Sequence, residues 1–143
     1  MPTRFLALFL LARAAAAFTV SIPSDAPAPV RLAAHEVRRY VYLCTGQRVE
    51  IAASAAAPAE GGVRLFVDGA LPAGSYRLHA DGGVLTVSGA DPIATLYGAY
   101  RCAELFGVRF ALHGDILPDV MRPLEVPKVD ETRRPLFALR GIQ

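Results

Sequence analysis

The chain has no tryptophan, and its five tyrosines are scattered along 143 residues. Without clustered rings it offers no aromatic platform of the kind on which a free-standing binding module stacks a ligand. It has only two cysteines, Cys44 and Cys102, and three histidines, His35, His79 and His113, none beside a neighbour of ligand type. Metal-ligand spacing is therefore missing, and no metal and no cofactor is expected. Nucleophile motifs and phosphate-binding loops are missing too, which puts a small self-sufficient enzyme last among the readings.

A dominant charge is also lacking. Arg4, the apolar run FLALFLLA and the small-residue stretch RAAAA read as a signal peptide over residues 1–17, cleaved after Ala17. The run is too short to span a bilayer, and Arg13 interrupts the usual pattern. Cleavage removes Arg4 and Arg13 and leaves 13 basic against 13 acidic residues. Near-neutrality gives no support to a nucleic-acid partner or a membrane-surface role. The expected location is secreted or periplasmic, where a bridge between the two cysteines is possible; two buried thiols are the alternative.

What remains is enough for one domain, with 53% hydrophobic and 20% charged residues. FTVSIP reads as a strand with Val20 and Ile22 on one side. From Pro29 to Gly46, apolar residues recur at Val30, Ala33, Ala34, Val37, Val41 and Cys44, the spacing of a helix with one buried stripe. Arg31, His35, Arg38 and Arg39 share its wet face. RVEIA is a short strand, ASAAAPAEGG a loop, and VRLFVDG a strand that alternates Val63, Leu65 and Val67 with Arg64, Phe66 and Asp68. SYRLHADGGVLTVSGA is a hairpin turning at Asp81-Gly82, with Tyr76, Leu78 and Ala80 on one face and Arg77 and His79 on the other. This pattern predicts a largely antiparallel sheet.

A second helix starts at Asp91-Pro92 and stops at Gly107. Its apolar arc runs from Leu105 through Cys102, Phe106, Ala99, Ala103, Leu96 and Tyr100 to Ile93 and covers roughly 240° at 100° per residue. One sheet face cannot cover so wide an arc, so the helix is either central or covered by a partner. GVRFALHGDILPD follows as a strand and turn. Residues 119–135 have no periodicity and read as a connector leading to LFALRGI.

The stretch RLAAHEVRRYVYLCTGQRVEI and the run LTVSGADPIATLYGAYRCAELFGVRFALHGDILP, with Gly89, Asp91, Tyr97 and Gly98 at its centre, resemble the small N-terminal domain that precedes the barrel in several glycoside hydrolases. The resemblance is to α-glucuronidases of family 67 and to domain 2 of β-N-acetylhexosaminidases of family 20, and it covers residues 18–143. It implies an α+β fold: two layers, with two helices packed on one face of a mixed, mostly antiparallel sheet over residues 18–118. It also implies that residues 136–143 begin a (β/α)8 barrel absent from this chain, as F-x-x-RGI resembles the first barrel strand.

On that reading the expected partners are the catalytic barrel of the same enzyme and, through the full enzyme, a carbohydrate substrate. Glycoside hydrolysis needs two carboxyl groups, or one assisted by the substrate, and in the resembled families these sit on barrel loops. No catalytic residue is therefore expected here. Asp81, Asp91, Asp115, Asp119, Asp130 and Glu131 all have turn, cap or connector roles to fill. Arg140, at the matching RG, would grip sugar hydroxyls in the intact enzyme, because a guanidinium fork suits such work; a solvated arginine in a frayed tail is the alternative. The competing function is a free-standing carbohydrate-binding or interaction domain.

Overall fold

A computed structural model of the protein describes residues 17–136. The signal-peptide reading, except for Ala17, and the LFALRGI stretch from Phe137 onward, with Arg140, lie outside the described residues.

Strand β1 (Thr19–Ile22) leads into helix α1 (Ala28–Thr45), which returns to β2 (Glu50–Ala53). Pro27 and Pro29 suit the start of α1, where amide groups have no helical partner. Gly46 ends it at φ 73°, and its N–H is bonded to the carbonyl of Tyr42. Strand β3 (Gly62–Val67), the hairpin of β4 (Tyr76–Asp81) and β5 (Val84–Gly89), and helix α2 (Pro92–Leu105) follow. The hairpin turns one residue later than the sequence pattern suggests. Asp81 still pairs with Val84, and Gly82 and Gly83, at φ 55° and 80°, make the turn, since a two-residue turn of this kind needs positive φ at both positions.

These strands, joined by β8 (Asp130–Arg133), form one six-stranded sheet in the order β2-β1-β3-β5-β4-β8. The α+β class and the mixed sheet are as expected, but the balance of pairings is not. β1 is parallel to β2 and to β3, and β3 is parallel to β5; only β4 pairs antiparallel, with β5 and β8. The mostly antiparallel sheet expected above is therefore corrected to a mostly parallel one. The physical reason is twofold. The β1-α1-β2 unit is a helical crossover, which makes its strands parallel. The hairpin does not add to the sheet edge in sequence order; its second strand inserts between β3 and β4.

Insertion is favoured by what β5 carries. Leu85 and Val87 are fully buried, and each such side chain contributes roughly 1.5–3 kcal/mol when removed from water. Register sets Val20, Val63 and Leu85 side by side, and Leu65, Val87 and Leu78 in the next row. Above them lie Val30, Ala33, Ala34, Val37 and Val41 of α1 and Ala99, Cys102 and Ala103 of α2, all buried in the same core. Both helices thus pack on one face and against each other.

The segment read as a connector does more than link. The Arg122 N–H bonds to the Cys44 carbonyl and the Val129 carbonyl accepts from Ala80 N–H. Leu124, Val126 and Val129 pack on the core edge, and β8 covers the free side of β4. Its residues Asp-Glu-Thr-Arg give no strand signal, because an edge strand is recruited by backbone pairing more than by side-chain burial.

Candidate functional site

The run from Gly89 to Gly98 works as a packing device. A Cβ on Gly89 would stand 2.2 Å from the Thr95 backbone nitrogen, and one on Gly98 would stand 2.7 Å from Cγ1 of Val87. Both glycines let α2 lie close on β5. Asp91 Oδ1 accepts from the Ala94 N–H at 2.8 Å, capping the helix, and Thr95 Oγ1 donates to the Phe66 carbonyl at 3.2 Å, so this buried hydroxyl is satisfied. The face that α2 buries is Ala94, Thr95, Gly98, Ala99, Cys102 and Ala103. Small side chains there bring the helix down onto the sheet and leave its larger ones outside. Ile93 is 48% exposed and Tyr97 40% exposed.

The outer side of the helix pair is crossed by a short hairpin, β6 (Arg109–Ala111) and β7 (Gly114–Ile116), which pair only with each other. Phe110 is set edge-on between two rings, 5.5 Å from Tyr40 of α1 and 5.4 Å from Tyr100 of α2. Such contacts are worth about 0.5–1.5 kcal/mol each beyond area burial. Tyr40 donates its hydroxyl to Asp115 Oδ2 at 2.5 Å, and Arg39 lies 3.8 Å from the same carboxylate. Burial, with the Asp115 hydrogen bond, pushes the Tyr40 phenol up to about 12, so it stays a donor. The hairpin is thereby strapped over the seam between the helices. It leaves Leu112 in its turn 89% exposed and Ile116 at the end of β7 57% exposed. Ile93 and Tyr97 on α2 are exposed as well, and a cleft beside the strap is lined by Arg109, Phe110, Ile116, Met121 and Arg122.

The sequence singled out Tyr97 and Tyr100 but missed Tyr40, Phe110 and Asp115 as a group. They lie 75 residues apart at the extremes, and no local pattern signals their meeting. The expected carboxylate roles hold in part. Asp91 is a cap, whereas Glu131 forks onto Arg101, with Nε to Oε1 at 2.6 Å and Nη2 to Oε2 at 3.4 Å. The Arg101 hydrogen bond holds the Glu131 carboxyl below the usual range. Arg101 also bonds to Glu104 at 2.9 Å. Asp130 bonds to Arg77 at 3.1 Å. Cys44 and Cys102 are both buried free thiols, and burial pushes Cys102 up to about 12. His79 stands on the sheet face away from the helices, and His113 in the turn of the strap. Among the described residues no group of three or more His, Cys, Asp or Glu side chains could hold a metal ion, and no helix is long and apolar enough to cross a membrane.

Two helices on one face of a six-stranded mixed sheet is the α+β domain that the motif resemblance implied, and solved structures similar to it are glycoside hydrolases. A family GH115 4-O-methyl-α-glucuronidase with specificity for decorated arabinogalactans is similar over 64% of this chain and 14% of its own, with a TM-score of 0.52 and 19% identity. A GH138 enzyme targeting pectin rhamnogalacturonan II is similar over 61% and 10%, with a TM-score of 0.48 and 13% identity. A GH20 exo-β-N-acetylglucosaminidase from Vibrio harveyi is similar over 69% and 14%, with a TM-score of 0.47 and 10% identity. At 19% identity the likeness to the GH115 enzyme is one of fold, and the chain spans only 10% to 14% of these enzymes' length. No protein-family model and no curated protein matches the sequence.

Proposed function

We propose that this chain supplies a non-catalytic domain of a secreted glycoside hydrolase, and that its helix-and-strap face packs against the enzyme's catalytic (β/α)8 barrel. The observation that carries the reading is the shared fold with the GH115 enzyme, in which the matching part is 14% of a much longer chain. The surface supports it: Ile93 and Tyr97 of α2 and Leu112 and Ile116 of the strap are large apolar side chains left exposed, as expected where another domain sits. Arg140 keeps its proposed role of holding sugar hydroxyls in the intact enzyme.

The test is made in the proposed intact enzyme, with its catalytic barrel attached. There, Leu112→Ser with Ile116→Ser is expected to lower the unfolding midpoint and the yield of soluble, active protein. The same pair of changes should leave the melt of the 143-residue chain nearly unmoved, because both side chains face solvent there. Hydrolysis of aryl glycosides by the 143-residue chain alone, or an intact enzyme indifferent to both substitutions, would overturn the proposal.

A further inference from the structure

The opposite face of the sheet, turned away from the helices, takes no part in the packing just described. Side chains at paired positions in adjacent strands project to the same side. Ser21 is paired with Ala52 and Arg64, Arg64 with Thr86, Thr86 with His79, and His79 with Asp130. Six strands therefore build one continuous row: Ala52, Ser21, Arg64, Thr86, His79, Asp130. From Ser21 to Asp130 it crosses four strand spacings, about 19 Å. A second row, Phe66, Ser88, Arg77 and Thr132, runs beside it.

Three buried side-chain polar atoms lack a hydrogen-bond partner among the described residues: Ser21 Oγ, Arg64 Nε and His79 Nδ1. All three belong to the first row. Ser21 is only 2% exposed. The imidazole Nδ1 stands 3.5 Å from Asp130 Oδ2, longer than the usual hydrogen bond, while Arg77 bonds to Oδ1 of the same carboxylate. Unmade polar capacity in a folded protein is costly and calls for an explanation; here it is concentrated in one line rather than spread through the molecule. Arg64 has no carboxylate partner among the described residues, and its guanidinium carbon lies 4.6 Å above the Phe66 ring. Such a stacking contact is weak at a half-exposed site, so the side chain can lift and uncover its Nε.

We propose that this row binds a glycan strand bearing uronate groups, laid across the sheet, with a carboxylate on the lifted Arg64 and hydroxyls on Thr86 and His79. A guanidinium fork matches a carboxylate, and the successive guanidinium, hydroxyl and imidazole groups of Arg64, Thr86 and His79 match a ligand that carries many hydroxyls and one charge per ring. This site is separate from the packing face and does not depend on the barrel.

The experiment is titration of the full chain, followed by amide chemical shifts, with oligogalacturonides and, in parallel, with neutral cello-oligosaccharides. Oligogalacturonide is expected to move resonances of β1, β3, β4 and β5 and to lose affinity with added salt. Arg64→Ala should weaken binding about tenfold or more, the loss expected for a charge-assisted hydrogen bond. Ser21→Ala, at a hydroxyl too buried to meet the ligand, should leave binding unchanged and the free protein's melt unchanged or raised, since it deletes an unpartnered hydroxyl. Should Arg64→Ala fail to fold, His79→Ala, at an accessible ring, replaces it. Absence of shifts at millimolar oligogalacturonide, shifts confined to the helix side, or equal binding of the neutral sugar would each overturn the proposal.

Discussion

At the residue scale, the Arg101–Glu131 fork shows how one contact organises distant chain. Arg101 sits on the edge of α2 beside Tyr97 and Glu104, and Glu131 belongs to a segment without any pattern of its own. The fork fastens β8 over the flank of α2 and β4, and the remaining guanidinium nitrogen, Nη1, donates to Glu104. Because the Glu131 carboxyl is held below its ordinary value, the folded state binds its proton less readily than the unfolded state does. The resulting stability is fully present above the ordinary glutamate range, near pH 4.3, and is lost as pH falls through the lowered native value. Glu131→Gln is expected to cost about 1 kcal/mol at pH 7 and to flatten the acid limb of a melt series between pH 7 and 3. Parallel acid limbs in the two proteins would assign the acid sensitivity elsewhere.

At the scale of elements, α2 and β5 are matched by missing side-chain atoms. Gly98 is a poor helix former, and replacing it with alanine in an exposed helix would gain about 1 kcal/mol. Here the new methyl would meet Val87, a stiff β-branched side chain that is fully buried. Gly98→Ala is therefore expected to destabilise by roughly 1–3 kcal/mol through overpacking. Combining it with Val87→Ala should recover part of that loss, so the double variant unfolds at higher denaturant than the sum of the single effects predicts. Strict additivity would mean that the two positions do not touch. Gly89 has no such rescue, since its neighbour is the backbone of Thr95.

At the scale of the whole molecule, the sheet is completed late in the chain. β4 has an open side until residues 130–133 return to cover it, after the chain has crossed from the end of α1 past the core edge. A protein ending at Pro118 would expose the six-residue edge of β4 and lose the cover given by Leu124, Val126 and Val129. It is expected to melt lower and to self-associate through that edge, which sedimentation and circular dichroism would report. A monomeric, equally stable truncation would show that residues 119–136 are dispensable to the domain.

The residues by themselves determined the local parts of this protein. Both helices, their proline starts and glycine stops, the buried stripe of α1, the hairpin and the inward faces of β1, β3 and β4 were legible, because each is set by neighbours within a few positions. The small inward face of α2 was legible only as an arc too wide for one sheet. Tertiary structure decided the rest. Parallel pairing, the insertion of β5, the recruitment of Asp130–Arg133, the strap held by Phe110 and Asp115 on Tyr40, and the polar row from Ser21 to Asp130 all depend on contacts between residues far apart in the chain. Backbone groups pair alike whatever side chains they carry, so strand order follows from how all buried surfaces are covered at once, which no single stretch of sequence specifies.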